Sequence, residues 1–232
     1  MKIALIGYGK MGRLISKLAG DSGHGIVVTV SESHAGLSAD ELAETLRAAD
    51  VAIDFTAADA VRRNVEACMI AGIPIVVGTT GWNSQKDEIE RLVNDSGGSL
   101  VYGANFSIGV NLFFKIAEYS AELFAKFPEY EVFIEEQHHS QKKDAPSGTA
   151  LKLKELVKKH IDAEFEIPAT RAGNIPGTHR VGFDAAADQI LLTHTARNRE
   201  GFARGAIMAA EWIKTRKGFF EFSDVMEEII KG

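Results

Sequence analysis

Six residues near the start constrain this chain most: Gly7-Tyr8-Gly9-Lys10-Met11-Gly12. They follow a short apolar run, Lys2 to Ile6, and open a helical pattern from Lys10 to Ala19. A strand that enters three spaced glycines and leaves as a helix is the first unit of a dinucleotide-binding α/β sheet. Gly7 permits the tight turn, Gly9 leaves room for a pyrophosphate, and Gly12 lets helix and strand pack closely. The helix start carrying Lys10 and Met11 then turns unpaired N–H groups toward an anion. A plain Gly-rich turn is the competing reading, and the strand–turn–helix context disfavours it.

The same rhythm continues. Apolar runs at Ile26–Val30, Val51–Phe55, Ile73–Val77 and Leu100–Tyr102 alternate with helical patterns at Ser38–Arg47, Ala58–Ala71 and a stretch capped by Asn83 that reaches about Asn94. Alternating strands and helices imply parallel pairing, and strands without polar alternation imply a sheet covered on both faces. After Gly103 the pattern changes. A long helix is expected from Gly109 to about Lys126, a one-faced strand at Glu131–Glu136, a helix from about Ser147 to His160, and strands at Phe165–Ala172, Thr178–Ala185 and Gln189–Ala196. Helical patterns return at Ala203–Lys214 and Ser223–Ile230. The expected fold class is α/β: an N-terminal Rossmann-type doubly wound parallel sheet plus a smaller α+β domain with a mixed or antiparallel sheet. The pattern divides the chain into residues 1–104 with 205–232, which carry the dinucleotide motif, and residues 105–204, to which the resemblance described below assigns substrate binding and oligomerisation, with hinges near Asn105 and Gly205.

Composition narrows the partners. A net charge of -6 disfavours the broad basic surface that nucleic acid requires. No apolar run is long enough for a transmembrane helix, and the chain begins with a strand rather than a signal segment. The single cysteine, Cys68, lies in an apolar helical pattern and reads as a small core residue, which fits a reducing, cytoplasmic setting.

Glu32 follows the second strand, about twenty residues beyond the glycines, where an acid binds the hydroxyls of an adenosine ribose. A solvated surface glutamate is the alternative. No Arg follows it; Ser33 and His34 do. NADH is therefore favoured, while Lys10 and Arg13 leave NADPH open. Gly78-Thr79-Thr80-Gly81 follows the fourth strand and offers backbone and hydroxyl groups at a strand end, with an ordinary loop equally compatible.

The densest chemistry lies in Glu136-Gln137-His138-His139-Ser140-Gln141-Lys142-Lys143-Asp144-Ala145-Pro146-Ser147-Gly148-Thr149-Ala150. Two imidazoles and two ammonium groups precede a helix start, and Ser147, Gly148 and Thr149 sit where first-turn N–H groups can bind a carboxylate. His139 and Lys142 can neutralise a second carboxylate. His138 can pass a proton near neutral pH, and neighbouring cations would press Lys142 toward the same duty. No Cys, Asp or Glu stands at a recognisable metal-ligand spacing, so no metal is expected. From the residues alone, this is an anion-binding loop.

The stretch from His138 to Ala150 resembles the HHxxKxDAPSGTA signature of the 4-hydroxy-tetrahydrodipicolinate (dihydrodipicolinate) reductases without a mismatch. The likeness extends to Gly7–Gly12, Asp54-Phe55-Thr56, Gly78–Gly81, Ala104–Asn111 and Arg171–His179. It implies a reductase of a small cyclic dicarboxylate using NADH or NADPH, with a homotetramer assembled through the second domain. It makes His138 the general acid and Lys142 the second catalytic group, and gives the substrate carboxylates to His139, Lys142, Ser147, Gly148 and Thr149. Gly7, Gly12, Glu32, Gly78, Thr80 and Gly103-Ala104-Asn105-Phe106 would line the cofactor. Members that use NADPH often carry Arg after the ribose acid; Ser33 departs from that, and the segment before Arg171 is shorter than in many members. Two other readings compete: a different NAD(P) reductase of similar architecture, and a nucleotide-sensing protein that would not need the basic loop.

Overall fold

The computed structural model describes residues 1–232. The chain forms two compact units, one of Met1–Ile108 with Glu200–Gly232 and the other of Gly109–Arg199.

The first unit is a parallel sheet of six strands. In chain order these are β1 (Lys2–Ile6), β2 (Gly25–Val30), β3 (Val51–Asp54), β4 (Ile75–Val77), β5 (Ser99–Tyr102) and β10 (Gly218–Glu221), arranged β10-β5-β4-β3-β1-β2. All pairs are parallel. The connecting helices are α1 (Lys10–Asp21), α2 (Ala39–Leu46), α3 (Val61–Ala71) and α4 (Lys86–Asp95); α7 (Glu200–Ile213) and α8 (Phe222–Lys231) complete the unit. Each sheet face has its own core. Ile3, Leu5, Val51 and Ile53 pack with α1 and α7, while Ala4, Ile6, Ala52 and Val77 pack with α2 and α3. Period-2 geometry sends successive apolar residues to opposite layers, which is why these strands lack polar alternation. Cys68 is fully buried, and burial pushes its thiol well above the usual range.

The strand order places a topological switch beside β1. The chain leaves β1 for β2 on one side and returns for β3, β4 and β5 on the other. Ligands of such sheets bind beyond the carboxyl ends at that point.

The second unit is a mixed four-stranded sheet, order β7-β6-β8-β9, built from β6 (Glu131–His138), β7 (Ala169–Arg171), β8 (Thr178–Asp184) and β9 (Gln189–Thr195). β6 pairs parallel with β7 and antiparallel with β8, and β8 pairs antiparallel with β9. One face is covered by α5 (Ile108–Phe124) and α6 (Gly148–Lys158), through Phe113, Ala117, Leu153 and Val157 against Val132, Ile134, Val181 and Phe183. No helix is long and apolar enough to cross a membrane.

Several local expectations need correction. Asn83 does not cap a helix: Asn83–Gln85 is a 3-10 turn, and α4 begins at Lys86. The strand expected over Phe165–Ala172 shrinks to Ala169–Arg171: Phe165 and Ile167 alternate with exposed neighbours and pack against the core, but the pairing with β6 begins only at Ala169. β10 was not anticipated; its Phe219 and Phe220 form a run too short to stand out beside the following helix.

Candidate active site

In the first unit, β1 runs into Gly7, whose φ is +93°. A Cβ there would lie 2.3 Å from the carbonyl oxygen of Phe55, beyond β3. A Cβ on Gly12 would lie 2.2 Å from the carbonyl oxygen of Gly7. Both glycines are therefore required by the chain's own close packing. Gly9 is different. Its φ is -79°, and a Cβ would meet nothing within 4 Å. The fold itself has no need of glycine there, and the space beside its α-carbon is open. Gly9 is also the N-cap of α1 yet supplies no side-chain cap, and the first turn carries no acidic residue. That leaves the positive end of the helix available to an anion.

These glycines open onto a cavity of about 930 Å³ whose walls include Gly7, Gly9, Arg13, Ser31, Glu32, Thr56, Asp59 and Arg63. Glu32 begins a 3-10 turn directly beyond β2. A pyrophosphate-receptive helix start and a ribose-receptive carboxylate on one cavity wall fit a nicotinamide dinucleotide.

The remaining cofactor candidates stand at neighbouring strand ends, with distinct local roles. Gly78 follows β4, and a Cβ there would strike the Phe55 ring at 2.2 Å. Thr79 is buried; its hydroxyl donates to Asp54 Oδ1 at 2.6 Å and accepts from the Thr56 N–H at 2.7 Å. Asp54 is fully buried and also takes the Thr56 hydroxyl at 2.8 Å and Asn64 Nδ2 at 2.7 Å. Burial pushes its carboxyl above the usual range against these hydrogen bonds. Asp54 thus ties the turn after β3 to the turn after β4, leaving Thr80 exposed to act as the outward hydroxyl. Beyond β5, Gly103 is buried, Ala104 exposed, and Asn105 Oδ1 accepts the Ser107 N–H at 2.8 Å. The Phe106 ring is buried between Phe55 and Phe222, so its side chain serves packing. Lys10 is exposed and Met11 leans on the core.

In the second unit, strand alternation builds the polar centre. Val132, Ile134, Glu136 and His138 occupy the buried face of β6, so the hydrophobic core passes without a break into an acid and an imidazole. Register brings in the partners. His179 of β8 stands opposite Glu136, and Arg171 of β7 stands opposite His138.

Glu136 is only 1 % exposed. Its Oε1 accepts from Arg171 Nη2 at 2.6 Å and from the Ser147 N–H at 2.9 Å. Its Oε2 lies 2.8 Å from His138 Nδ1 and 3.6 Å from His179 Nε2. Oε2 and Nδ1 are close, but their orientation makes no hydrogen bond, so this contact is electrostatic. Burial pushes Glu136 up; Ser147, Arg171 and His138 outweigh it and hold the carboxyl below its ordinary value. For His138, burial is the main cause of a lowered pKa, with Lys142 and Arg171 adding to it and Glu136 opposing. Burial and the neighbouring imidazole take His179 down to about 4.

The loop after β6 is tied down at several points. The Ala172 N–H donates to His138 O at 2.9 Å and the Ser140 N–H to Gly173 O at 3.2 Å. Lys142 Nζ pairs with Asp144 Oδ1 at 2.9 Å. The charge nearest Lys142 is thus an anion, not the cations that the sequence suggested. Ser147 caps α6 by accepting the Ala150 N–H, and its hydroxyl lies 3.1 Å from His179 Nε2. The Ser147 N–H, expected to be available to a substrate, is occupied by Glu136 because strand and helix start meet there. Gly148 at the first helical position is exposed, Thr149 is half-buried, and His139 lies half-buried at the loop entrance.

Glu136, Arg171 and His179 carried no assigned role in the sequence reading. Glu136 was legible in principle, since residues two apart on a strand share a face. Arg171 and His179 bound a stretch that shares the family likeness, but their approach to Glu136 follows from strand pairing across more than thirty residues. Glu136, His138 and His179 also approach closely enough to suggest a cation site. Arg171 bound to the same carboxylate opposes that, since it already neutralises the acid.

Comparison with known proteins places both halves. Residues 1–106 match the family model described as dihydrodipicolinate reductase, N-terminus, and residues 109–226 the one described as dihydrodipicolinate reductase, C-terminus. A 4-hydroxy-tetrahydrodipicolinate reductase of Christiangramia forsetii is 38 % identical, with all of both chains covered. One from Archaeoglobus fulgidus is 34 % identical over 98 % of this chain and 100 % of its own. Among solved structures, a dipicolinate-bound dihydrodipicolinate reductase from Paenisporosarcina sp. TG-14 superposes with a TM-score of 0.74 at 22 % identity, covering 97 % of this chain and 99 % of that one. At that identity the likeness concerns the fold.

Proposed function

The chain belongs to the dihydrodipicolinate reductase family, and from that premise we propose that it reduces 4-hydroxy-tetrahydrodipicolinate to tetrahydrodipicolinate with NADH or NADPH, a step toward diaminopimelate and lysine. The observation that carries this reading is the convergence of Glu136, Arg171 and His179 behind His138, inside an intact HHxxKxDAPSGTA loop.

The dinucleotide, when bound, supplies the hydride. In this chain Gly7, Gly9, Lys10, Met11 and Gly12 would hold its pyrophosphate and Glu32 its adenosine ribose; Gly78, Thr79, Thr80 and Gly103 to Phe106 would line the rest. Glu32 without a following Arg favours NADH. The substrate is a dicarboxylate, and His139, Lys142, Ser147, Gly148 and Thr149 would hold its two anions. For Ser147 this falls to the hydroxyl, because the N–H is engaged. Holding both ends of a rigid ring fixes the reacting carbon, which is an orientation effect.

His138 would donate the proton. Its pocket disfavours the imidazolium while the site is empty of substrate. Two carboxylates arriving beside the ring favour the charged form, so proton uptake is coupled to substrate binding. Glu136 stabilises the imidazolium without competing as a donor, because its own carboxyl stays ionised. Lys142, steadied by Asp144, would neutralise charge that develops on the ring.

We place the enzyme in the cytoplasm, where a reduced nicotinamide pool and a free thiol at Cys68 are at home. The family likeness also implies a homotetramer through the second unit's sheet; on the face of β9 away from the helices, Leu191 is 46 % exposed, as such an interface would need. A coupled assay that generates the substrate in situ tests the reading, with NADH and NADPH compared. Substrate-dependent cofactor oxidation, faster with NADH, is expected; no oxidation with either cofactor would overturn it.

A further inference from the structure

Arg63 is a charged residue with no assigned role. It lies on α3, lines the same cavity wall as Glu32 and is half-buried. Its guanidinium is fixed by neutral acceptors alone. Nη1 donates to the carbonyls of Ala35 and, at 3.3 Å, Leu37; Nη2 and Nε donate to Asn64 Oδ1 at 3.1 and 3.4 Å. No carboxylate pairs with it, although Arg62 beside it has two. A partly buried cation that spends its in-plane donors on carbonyls keeps its charge and its flat face for something else.

We infer that Arg63 is the platform on which the adenine ring of the cofactor stacks, set by the turn that follows Glu32. Three observations point to a base and not a phosphate. The donors that would grip a phosphate bidentately are largely engaged by the chain itself. Glu32 on the same wall repels a second anion. The lining they share includes small side chains, Ala35, Ala57 and Ala60, which leave room for a flat aromatic group. Because the Ala35 and Leu37 carbonyls lie just past the Glu32 turn, one arginine couples base recognition to ribose recognition. This rests on the nucleotide reading proposed above and extends it to a specificity contact.

The test is cofactor binding by fluorescence titration and steady-state kinetics of the full chain, wild type against Arg63→Leu and Arg63→Lys. Lysine keeps the charge and can reach the carbonyls, but has no planar face. Loss of the planar guanidinium stack predicts about tenfold weaker NADH binding in both variants, and an equal loss for NADPH. KM for the cofactor should rise by that factor with kcat unchanged. Binding of reduced nicotinamide mononucleotide, which lacks adenosine, should not change. Unaltered NADH affinity in both variants would overturn the inference. A loss confined to NADPH would replace it with a phosphate contact. A loss in Arg63→Leu that Arg63→Lys restores would reduce Arg63 to an anchor for residues 35–37. Failure of the wild type to bind either dinucleotide is a separate outcome and would sink the nucleotide reading itself.

Discussion

Glu136 and His138 stand two residues apart on the core face of β6, with Oε2 of the acid 2.8 Å from Nδ1 of the imidazole. The same carboxylate receives Arg171 and the first N–H of the α6 cap, so one buried charge organises a strand, a neighbouring strand and a helix start. Removing one member of such a group leaves another uncompensated, which costs roughly 3–5 kcal/mol in buried ion pairs. Glu136→Gln should therefore lower thermal stability. It should also drop the His138 pKa further, because the one nearby carboxylate that favours the imidazolium most is gone. The alkaline limb of the kcat/KM profile, along which the proton donor is lost, should then move to lower pH, which a pH series on the purified variant measures.

His138→Gln and Lys142→Cys should each reduce kcat by roughly 10²–10⁴, the usual worth of a positioned proton donor or charge stabiliser. Neither residue belongs to the nucleotide-binding unit, so the Kd for NADH should stay within about twofold. Unchanged turnover in both variants would remove them from the chemistry.

The glycines make a sharper contrast. Gly9→Ala places a methyl in open space at an ordinary φ, so the melting temperature should hardly move, while dinucleotide affinity should fall about tenfold or more. Gly12→Ala drives a Cβ to 2.2 Å from the Gly7 carbonyl, so stability and binding should fall together. Differential scanning calorimetry with a parallel NADH titration separates the two behaviours.

Acid should destabilise the protein through its histidines. His179 has a folded pKa of about 4 against an ordinary 6.5, so between these values the unfolded chain binds more protons than the native one. Stability therefore declines as pH falls from about 6.5 to about 4, by on the order of 3 kcal/mol for this group, and its contribution levels off below. His138 and His194, also lowered by burial, add in the same direction. Urea midpoints across this range check the slope, which His179→Gln should flatten.

Features carried by short-range chemistry could be read from the chain. The Gly7–Gly12 turn, the parallel rhythm and the loop from His138 to Ala150 each announce themselves in a few consecutive residues. The placing of Arg63 on the cavity that Glu32 also lines, and the gathering of Arg171 and His179 on Glu136, arise only when strands pair and helices dock. Ser147 shows the intermediate case. Its capping role was legible, but the acid that consumes its N–H lies eleven residues away on another element. β10 was missed for a different reason: an edge strand of four residues carries too little periodicity to separate it from the helix that follows.

In the proposed reaction, hydride passes from a nicotinamide to a cyclic dicarboxylate held by the loop after β6. Isotope transfer measures this most directly: substrate generated in situ, NADH deuterated at its hydride-donating carbon, and mass analysis of the product. The account predicts one deuterium in the product ring with the wild type and strongly reduced labelling with His138→Gln. Cofactor oxidation that leaves the ring unlabelled, or labelling that proceeds undiminished in His138→Gln and Lys142→Cys, would contradict it.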